Sequence, residues 1–138
     1  LKKNIDIFSE VLNKSNIKNI KLNVSAPFHC KLMKKATDNL KDEILNLNFR
    51  EINNPIISNY NANSSNSGLE IKNLLVSQIE GRVKWLESVK FMIDKGTKKF
   101  IEIGPGKVLS GLIKRIDKNI SVKSINNEND MKEIINDV

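Results

Sequence analysis

The sequence has 138 residues, of which 39% are hydrophobic and 28% are charged, and its formal net charge is +7. This length fits one globular domain, and no apolar run approaches the roughly 18 residues of a membrane-spanning helix. The only cysteine, Cys30, and the only histidine, His29, exclude an internal disulfide and a metal centre made of several such ligands. The chain begins at Leu1 and not at methionine, which suggests a part of a longer protein.

The positive charge does not by itself predict a nucleic-acid partner. Of the 23 basic residues, 20 are lysines, and an AT-rich genome over-encodes lysine together with asparagine and isoleucine. Aromatic residues amount to 5% of the chain, and none is interleaved with a basic run as a base-stacking surface requires. We therefore interpret the lysines as a solvated surface that weakly attracts anionic partners, and we expect no nucleic-acid partner.

The first third of the chain predicts a helix, a strand and a second helix. Residues 3–14 repeat apolar side chains on one helical face. Residues 18–24 alternate apolar and polar side chains, which predicts a half-buried strand. A turn at Pro27 ends this strand. Residues 30–47 then carry apolar side chains at spacings of three and four, which is typical of a long amphipathic helix.

The rest of the chain predicts strands that alternate with helices. A short apolar strand at 56–57 is followed by a polar loop at 59–68. The further predicted elements are helices over 69–79, 83–95 and 107–117, strands over 99–103 and 121–125, and a terminal helix from about residue 130. Gly96 has the position of a C′ residue after the second of these helices. The alternation predicts an α/β fold, with helices flanking a mostly parallel sheet of three or four strands.

His29 lies between a predicted strand and a long helix, where open α/β sheets place their ligands. On its position alone, a lone histidine at such a turn fits a cap or a packing residue better than a site residue. Gln78 shares a helical face with Ile71 and Leu75, and its position also fits a helix-end side chain that turns to solvent. The local pattern leaves both questions open.

Four blocks of sequence, in order, resemble the malonyl-CoA:acyl-carrier-protein transacylase family. They are residues 24–33 (VSAPFHCKLM), 54–59 (NPIISN), the pair 74–78 (LLVSQ) and 83–85 (VKW), and 100–109 (FIEIGPGKVL). The blocks span nearly the whole chain, and their common order is far more specific than any one of them. The family's Gly-x-Ser-x-Gly nucleophile motif does not occur in the 138 residues. The chain therefore resembles the C-terminal half of the enzyme.

The resemblance implies a fold and an activity. Residues 1–24 would form the end of a ferredoxin-like small subdomain, and residues 25–138 the C-terminal part of a large α/β-hydrolase-like subdomain. The whole enzyme would be cytoplasmic and monomeric, would need no cofactor, and would transfer malonyl from malonyl-CoA to acyl carrier protein in fatty-acid biosynthesis. Two alternatives remain open: an acyltransferase domain of a polyketide-type synthase, and a non-catalytic binding module for acidic partners.

The resemblance also assigns roles to five residues. His29 would be the base that activates the family's serine, and Gln78 would supply a carbonyl acceptor to the second ring nitrogen of His29. Phe28 would favour a malonyl substrate, because its ring fills the space that a branched acyl group needs. Lys114 and Arg115 match a basic pair suited to docking an acidic carrier protein, and they fit a solvated helix face equally well.

Three other features favour structural roles. The turn Gly104-Pro105-Gly106 is followed by Lys107 and Val108, whereas a phosphate loop needs Ser or Thr after its lysine. We interpret it as a strand-to-helix turn that needs glycine dihedral angles. Cys30 is expected to be a small buried thiol, and Trp85 is expected to pack in the core.

Overall fold

The computed structural model describes the backbone of residues 2–136 and the side chains of residues 2–134. Its helices are α1 (Lys2–Lys14), α2 (Lys34–Asn46), α3 (Gly68–Glu80), α4 (Trp85–Asp94), α5 (Val108–Ile116) and α6 (Glu128–Asn136), and its strands are β1 (Ile56–Ile57), β2 (Ser64–Ser65), β3 (Lys99–Ile103) and β4 (Ser121–Ile125). The predicted helices and the two later strands are confirmed within a few residues. The long helix starts later than predicted, because residues 31–33 form a 3-10 turn.

The strand predicted at 18–24 is wrong. This segment has no regular structure, and Ile20 and Leu22 are 77% and 79% exposed. A strand forms only when another strand satisfies its backbone groups, and no strand of the described residues pairs with this segment. The segment instead lies beside α1, where Lys21 Nζ contacts Asp6 Oδ1 at 2.5 Å.

The strands form two separate pairs, so the predicted sheet of three or four mostly parallel strands is also wrong. β3 and β4 are parallel, with Lys99 opposite Ser121 and Ile103 opposite Ile125. β1 and β2 are antiparallel. β2 lies inside the segment predicted as a polar loop, because the chain reverses through a tight turn in which the Ala62 N–H donates to the Ser58 carbonyl at 2.8 Å.

The main core lies between α4, α5 and the β3–β4 pair. Val89, Ile113 and Ile120 are buried there, and Trp85 packs against them, which confirms its predicted place in the core. Gly96, with φ of 94°, ends α4 as predicted. Its N–H donates to the Ile93 carbonyl at 2.8 Å, and the Thr97 N–H donates to the Met92 carbonyl at 3.0 Å, which is the Schellman pattern.

Large apolar side chains also lie at the surface. On β3, Ile101 is 43% exposed and Ile103 is 79% exposed, so one face of this strand is open. On α1, Ile5, Phe8 and Val11 are each more than half exposed. Contiguous exposed apolar surface is typical of sites that contact another protein, a membrane or a ligand. None of the helices in the described residues is long and apolar enough to cross a bilayer.

We expect Val89→Ala to lower the free energy of unfolding of the 138-residue chain by about 2 kcal/mol, because it removes methyl groups from a fully buried helix position. Val108→Ala is the matched control: it makes the same change on a helix at a position that is 71% exposed, and it should alter stability by less than about 0.5 kcal/mol. Urea unfolding followed by circular dichroism measures both. Equal losses would contradict this description of the core.

Candidate active site

His29 has an unusual backbone conformation just before the helix that follows it. His29 has φ of 60°, in the left-handed region that residues other than glycine rarely occupy. The next residue, Cys30, is extended, with φ of −148° and ψ of 169°, and the 3-10 turn begins after it. A strained conformation of this kind, stabilised by its surroundings, is a common feature of functional sites.

The His29 ring contacts the last turn of α3. Its Nδ1 lies 3.0 Å from the main-chain oxygen of Gln78, 49 residues along the chain. A carbonyl oxygen only accepts hydrogen bonds, so this partner assigns the proton to Nδ1 and leaves the Nε2 of the neutral ring with its lone pair. His29 is solvent-exposed, which leaves the ring accessible to a reacting group.

The structure therefore brings together two of the residues that the sequence singled out, His29 and Gln78. Their contact runs through the main chain of Gln78 and not through its side-chain amide. Nothing in the sequence distinguishes these two acceptors, because every residue at this position would present the same carbonyl.

The position of the Gln78 carbonyl follows from how α3 ends. The last four carbonyls of a helix have no partner within the helix, and together they form the negative end of its dipole. α3 ends at Glu80, where a Cβ on Gly81 would collide with the Tyr60 ring. Beyond it, the Lys84 N–H donates to the Asn59 carbonyl at 2.7 Å. The helix end is thus fixed, and its Gln78 carbonyl faces His29 as an acceptor.

A small hollow of about 100 Å³ adjoins this contact. β1, the two residues after it and α3 line the hollow, mainly with apolar side chains, and Gln78 is among the lining residues. Phe28, next to His29 in the chain, is 56% exposed. Cys30 is half-buried, less than expected, and its Sγ donates to the Pro27 carbonyl at 3.2 Å. Its thiol hydrogen bond is therefore made within its own turn.

Glu102 is a residue that the sequence reasoning missed. Its carboxylate accepts from the N–H groups of Leu109 and Ser110, at 3.1 and 2.8 Å, and from the Ser110 hydroxyl at 2.6 Å. The Ser110 hydroxyl and N–H hold the pKa of Glu102 below its ordinary value. The first-turn donors of α5 that a phosphate would use are thus engaged by a carboxylate of the protein, which favours the structural interpretation of the glycine turn.

Lys114 and Arg115 lie in the last turn of α5, and they differ in their surroundings. Lys114 Nζ donates to the carbonyls of Ile120 and Lys118, at 2.5 and 3.2 Å. Lys114 therefore ties the end of α5 to the chain leading into β4. Arg115 is exposed. Lys114 also lines a wide cleft of about 540 Å³ between α5, β4 and α6, whose lining does not include His29.

Several known proteins are similar in sequence to this chain. No protein-family model matches the sequence. The chain is 40% identical over 111 residues to the malonyl CoA-acyl carrier protein transacylase of Staphylococcus aureus (strain MSSA476), a match that covers 80% of this chain and 36% of that protein. It is 36% identical over 124 residues to the enzyme of the same name from Bacillus subtilis (strain 168), with 89% and 39% covered.

Solved structures agree with the sequence relatives. The malonyl CoA-acyl carrier protein transacylase of Clostridium perfringens matches with a TM-score of 0.85 and 33% identity over 96% of this chain and 42% of that chain. A malonyl-transacylase solved in complex with its type II PKS acyl-carrier protein matches with a TM-score of 0.90 and 30% identity, over 99% and 45%. The resemblance to this family is confirmed, and the mixed α/β fold is that of part of these enzymes. The chain spans about two fifths of the length of the relatives it matches.

We expect Gln78→Leu to leave the tautomer of His29 unchanged, since a leucine keeps the main-chain carbonyl that accepts from Nδ1. Gln78→Pro should disturb the tautomer, because proline distorts the last turn of a helix and with it the direction of the carbonyl. Ring ¹⁵N chemical shifts of the 138-residue chain at neutral pH report the tautomer directly. A move of the proton to Nε2 in the leucine variant would contradict the main-chain assignment.

Proposed function

We propose that this chain is the C-terminal part of a malonyl-CoA:acyl-carrier-protein transacylase, and that His29 is the general base of its active site. One observation carries the proposal: in a chain homologous to these enzymes, the only imidazole is exposed and oriented through Nδ1 by a fixed main-chain carbonyl. A base in this arrangement presents Nε2 to a nucleophile. The orienting role is the one that aspartate has in the serine-protease triad.

The proposed chemistry is a ping-pong acyl transfer. Nε2 of His29 takes the proton from a serine hydroxyl supplied by the part of the enzyme outside this chain. The serine oxygen attacks the thioester carbonyl of malonyl-CoA, the C–S bond breaks, and Nε2–H returns the proton to the coenzyme A thiolate. The phosphopantetheine thiol of the carrier protein then gives its proton to Nε2, and its sulfur attacks the carbonyl of the malonyl-serine ester. The C–O bond to the serine breaks, and Nε2–H returns the proton to the serine oxygen. The Gln78 carbonyl keeps its hydrogen bond from Nδ1–H while Nε2 takes up and releases the proton in each half-reaction.

The same proposal explains the open apolar surfaces. Residues 1–24 would be the end of a ferredoxin-like small subdomain, and 25–138 would belong to a large α/β-hydrolase-like subdomain. In support, residues 18–24 have the side-chain alternation of a strand, and Leu22 and Ile103 are both 79% exposed. The rest of the enzyme would cover these side chains and add strands to the sheets.

Substrate selection in this proposal involves Phe28. Its exposed ring precedes the left-handed turn of His29, so it lies near where the acyl group would be held. A ring there leaves room for the unbranched malonyl group and excludes an α-methyl branch by volume.

The acidic carrier protein would dock through Arg115 on α5. Fatty-acid synthesis in the cytoplasm is the process we propose, and the solved relative bound to a type II PKS carrier protein favours a polyketide pathway as the second candidate.

In the full polypeptide that contains this chain, we expect His29→Ala to slow malonyl transfer by about 10²- to 10⁴-fold, because the serine loses its base. Gln78→Leu should keep the rate within about threefold of the parent, since the main-chain carbonyl remains. Transfer of radiolabelled malonyl from malonyl-CoA to holo carrier protein measures both. A His29→Ala rate close to that of the parent would refute the assignment of the base.

The two residues at the end of α5 should respond differently to substitution. Arg115→Glu should raise KM for the carrier protein about fivefold and weaken its salt dependence, with the malonyl-CoA half-reaction unchanged. Lys114→Met should lower the melting temperature instead, because it releases the Ile120 carbonyl. Lys90→Glu, the same charge reversal from an exposed site on α4, controls for net charge. Equal effects of Arg115→Glu and Lys90→Glu on this KM would remove Arg115 from the docking surface.

A further inference from the structure

The turn between β3 and α5 depends on partners distant in the sequence. Gly104 and Gly106 have φ of 139° and 93°, in the region that favours glycine. The Gly104 N–H donates to the Ile125 carbonyl at 3.0 Å, which extends the parallel β3–β4 ladder by one step. The Gly106 N–H donates to the side-chain Oδ1 of Asn126 at 2.6 Å, 20 residues further along the chain. The turn is therefore anchored to the end of β4.

Asp130 sets the orientation of the Asn126 side chain. Its Oδ2 accepts from the main-chain N–H of Asn126 at 2.8 Å and from Asn126 Nδ2 at 3.3 Å. An amide whose nitrogen faces a carboxylate must turn its oxygen the other way, and here that direction is toward Gly106. The Asn126 main-chain N–H, first among several donors, holds the pKa of Asp130 below its ordinary value, so the carboxylate is ionised at neutral pH.

The turn leads directly into α5, so whatever fixes the turn also fixes that helix. Glu102 holds the first-turn N–H groups of α5, and Lys114 ties its last turn to the Ile120 carbonyl. Asn126 adds the connection on the side of α6, which begins at Glu128 and carries Asp130 in its first turn. Glu102 and Asn126 thus both fix the beginning of α5, and Lys114 fixes its end.

We propose that Asn126, oriented by Asp130, is a positioning residue: it fixes the Gly104–Gly106 turn and thereby the direction in which α5 presents Arg115 to the carrier protein. We call the hydrogen bonds that join Gly106, Asn126 and Asp130 the clamp. The docking part of this inference rests on the proposed function, whereas the clamp itself does not. Asn126 is solvent-exposed, so its hydrogen bonds contribute little to global stability. The effect of losing it should therefore appear in the local opening of the turn and in docking.

An exchange of side chains tests the clamp. Asn126→Asp keeps an acceptor for Gly106 and the main-chain donor to Asp130, but it removes the side-chain donor Nδ2 and sets two carboxylates against each other. The double variant Asn126→Asp with Asp130→Asn restores one donor and one acceptor in swapped positions. Asn129→Asp, the same substitution three residues further along the chain, in the first turn of α6, is the matched control, because none of the described hydrogen bonds among Gly106, Asn126 and Asp130 involves the Asn129 side chain.

Two measurements, made on the full polypeptide that contains this chain, compare these variants with the parent. Amide hydrogen exchange at Gly106 should become about tenfold faster in Asn126→Asp and return to the parent rate in the double variant and the control. KM for the carrier protein should rise about threefold or more in Asn126→Asp and recover in the double variant, while KM for malonyl-CoA stays constant.

Each outcome decides one part of the inference. Gly106 exchange that is unchanged in Asn126→Asp, or that the double variant does not restore, would overturn the clamp. Faster exchange with an unaltered carrier KM would leave the clamp and overturn its role in docking. If the unmodified protein transfers no malonyl group to a carrier protein, the proposed function and the docking role both fail, and the exchange rates still decide the clamp.

Discussion

The candidate site depends on how one helix ends. α3 stops where Gly81 lies against the Tyr60 ring, and this ending leaves the Gln78 carbonyl without a partner inside the helix. The His29 ring donates to that carbonyl and so acquires a defined tautomer and orientation. A main-chain acceptor has a property that a carboxylate side chain lacks: substitution at its position does not remove it. The orientation of the ring is consequently a property of the helix end and of the loop packed against it.

The fold could be predicted from the sequence wherever the signal is local. Helical periodicity located the helices, and Gly96 was identified as a C′ residue because a Schellman ending needs only neighbouring residues. Pairing of strands is not local. Residues 18–24 have the alternation of a strand, but no strand of the described residues pairs with them. β2 consists of two serines, Ser64 and Ser65, whose strand geometry comes from their partner β1 and not from their own propensity.

The candidate site also combines features that a local sequence signal predicts with features that depend on distant contacts. His29 and Gln78 were identified as residues, but the contacting atom of Gln78 was not, since a main-chain carbonyl carries no sequence signal. Glu102 and Asn126 were missed for a related reason. Each caps or anchors a backbone group that lies seven or more residues away, and the capping rules that apply to sequences describe positions three residues apart. Polar side chains that bond across a fold look like ordinary surface residues until the fold is known.

Apolar side chains are unevenly buried in this chain, and the exposed ones bear on its proposed function. Val89 and its neighbours form a compact core around α4, α5 and the parallel strands, yet Ile103 and Leu22 are almost as exposed as in an unfolded chain. The chain spans about two fifths of the length of its relatives, and under the proposed function the rest of the enzyme would cover these surfaces. His29 and Phe28 are exposed as well. Under the proposed function, His29 must be reached by a nucleophile from outside this chain, and an oriented but uncovered imidazole fits that requirement.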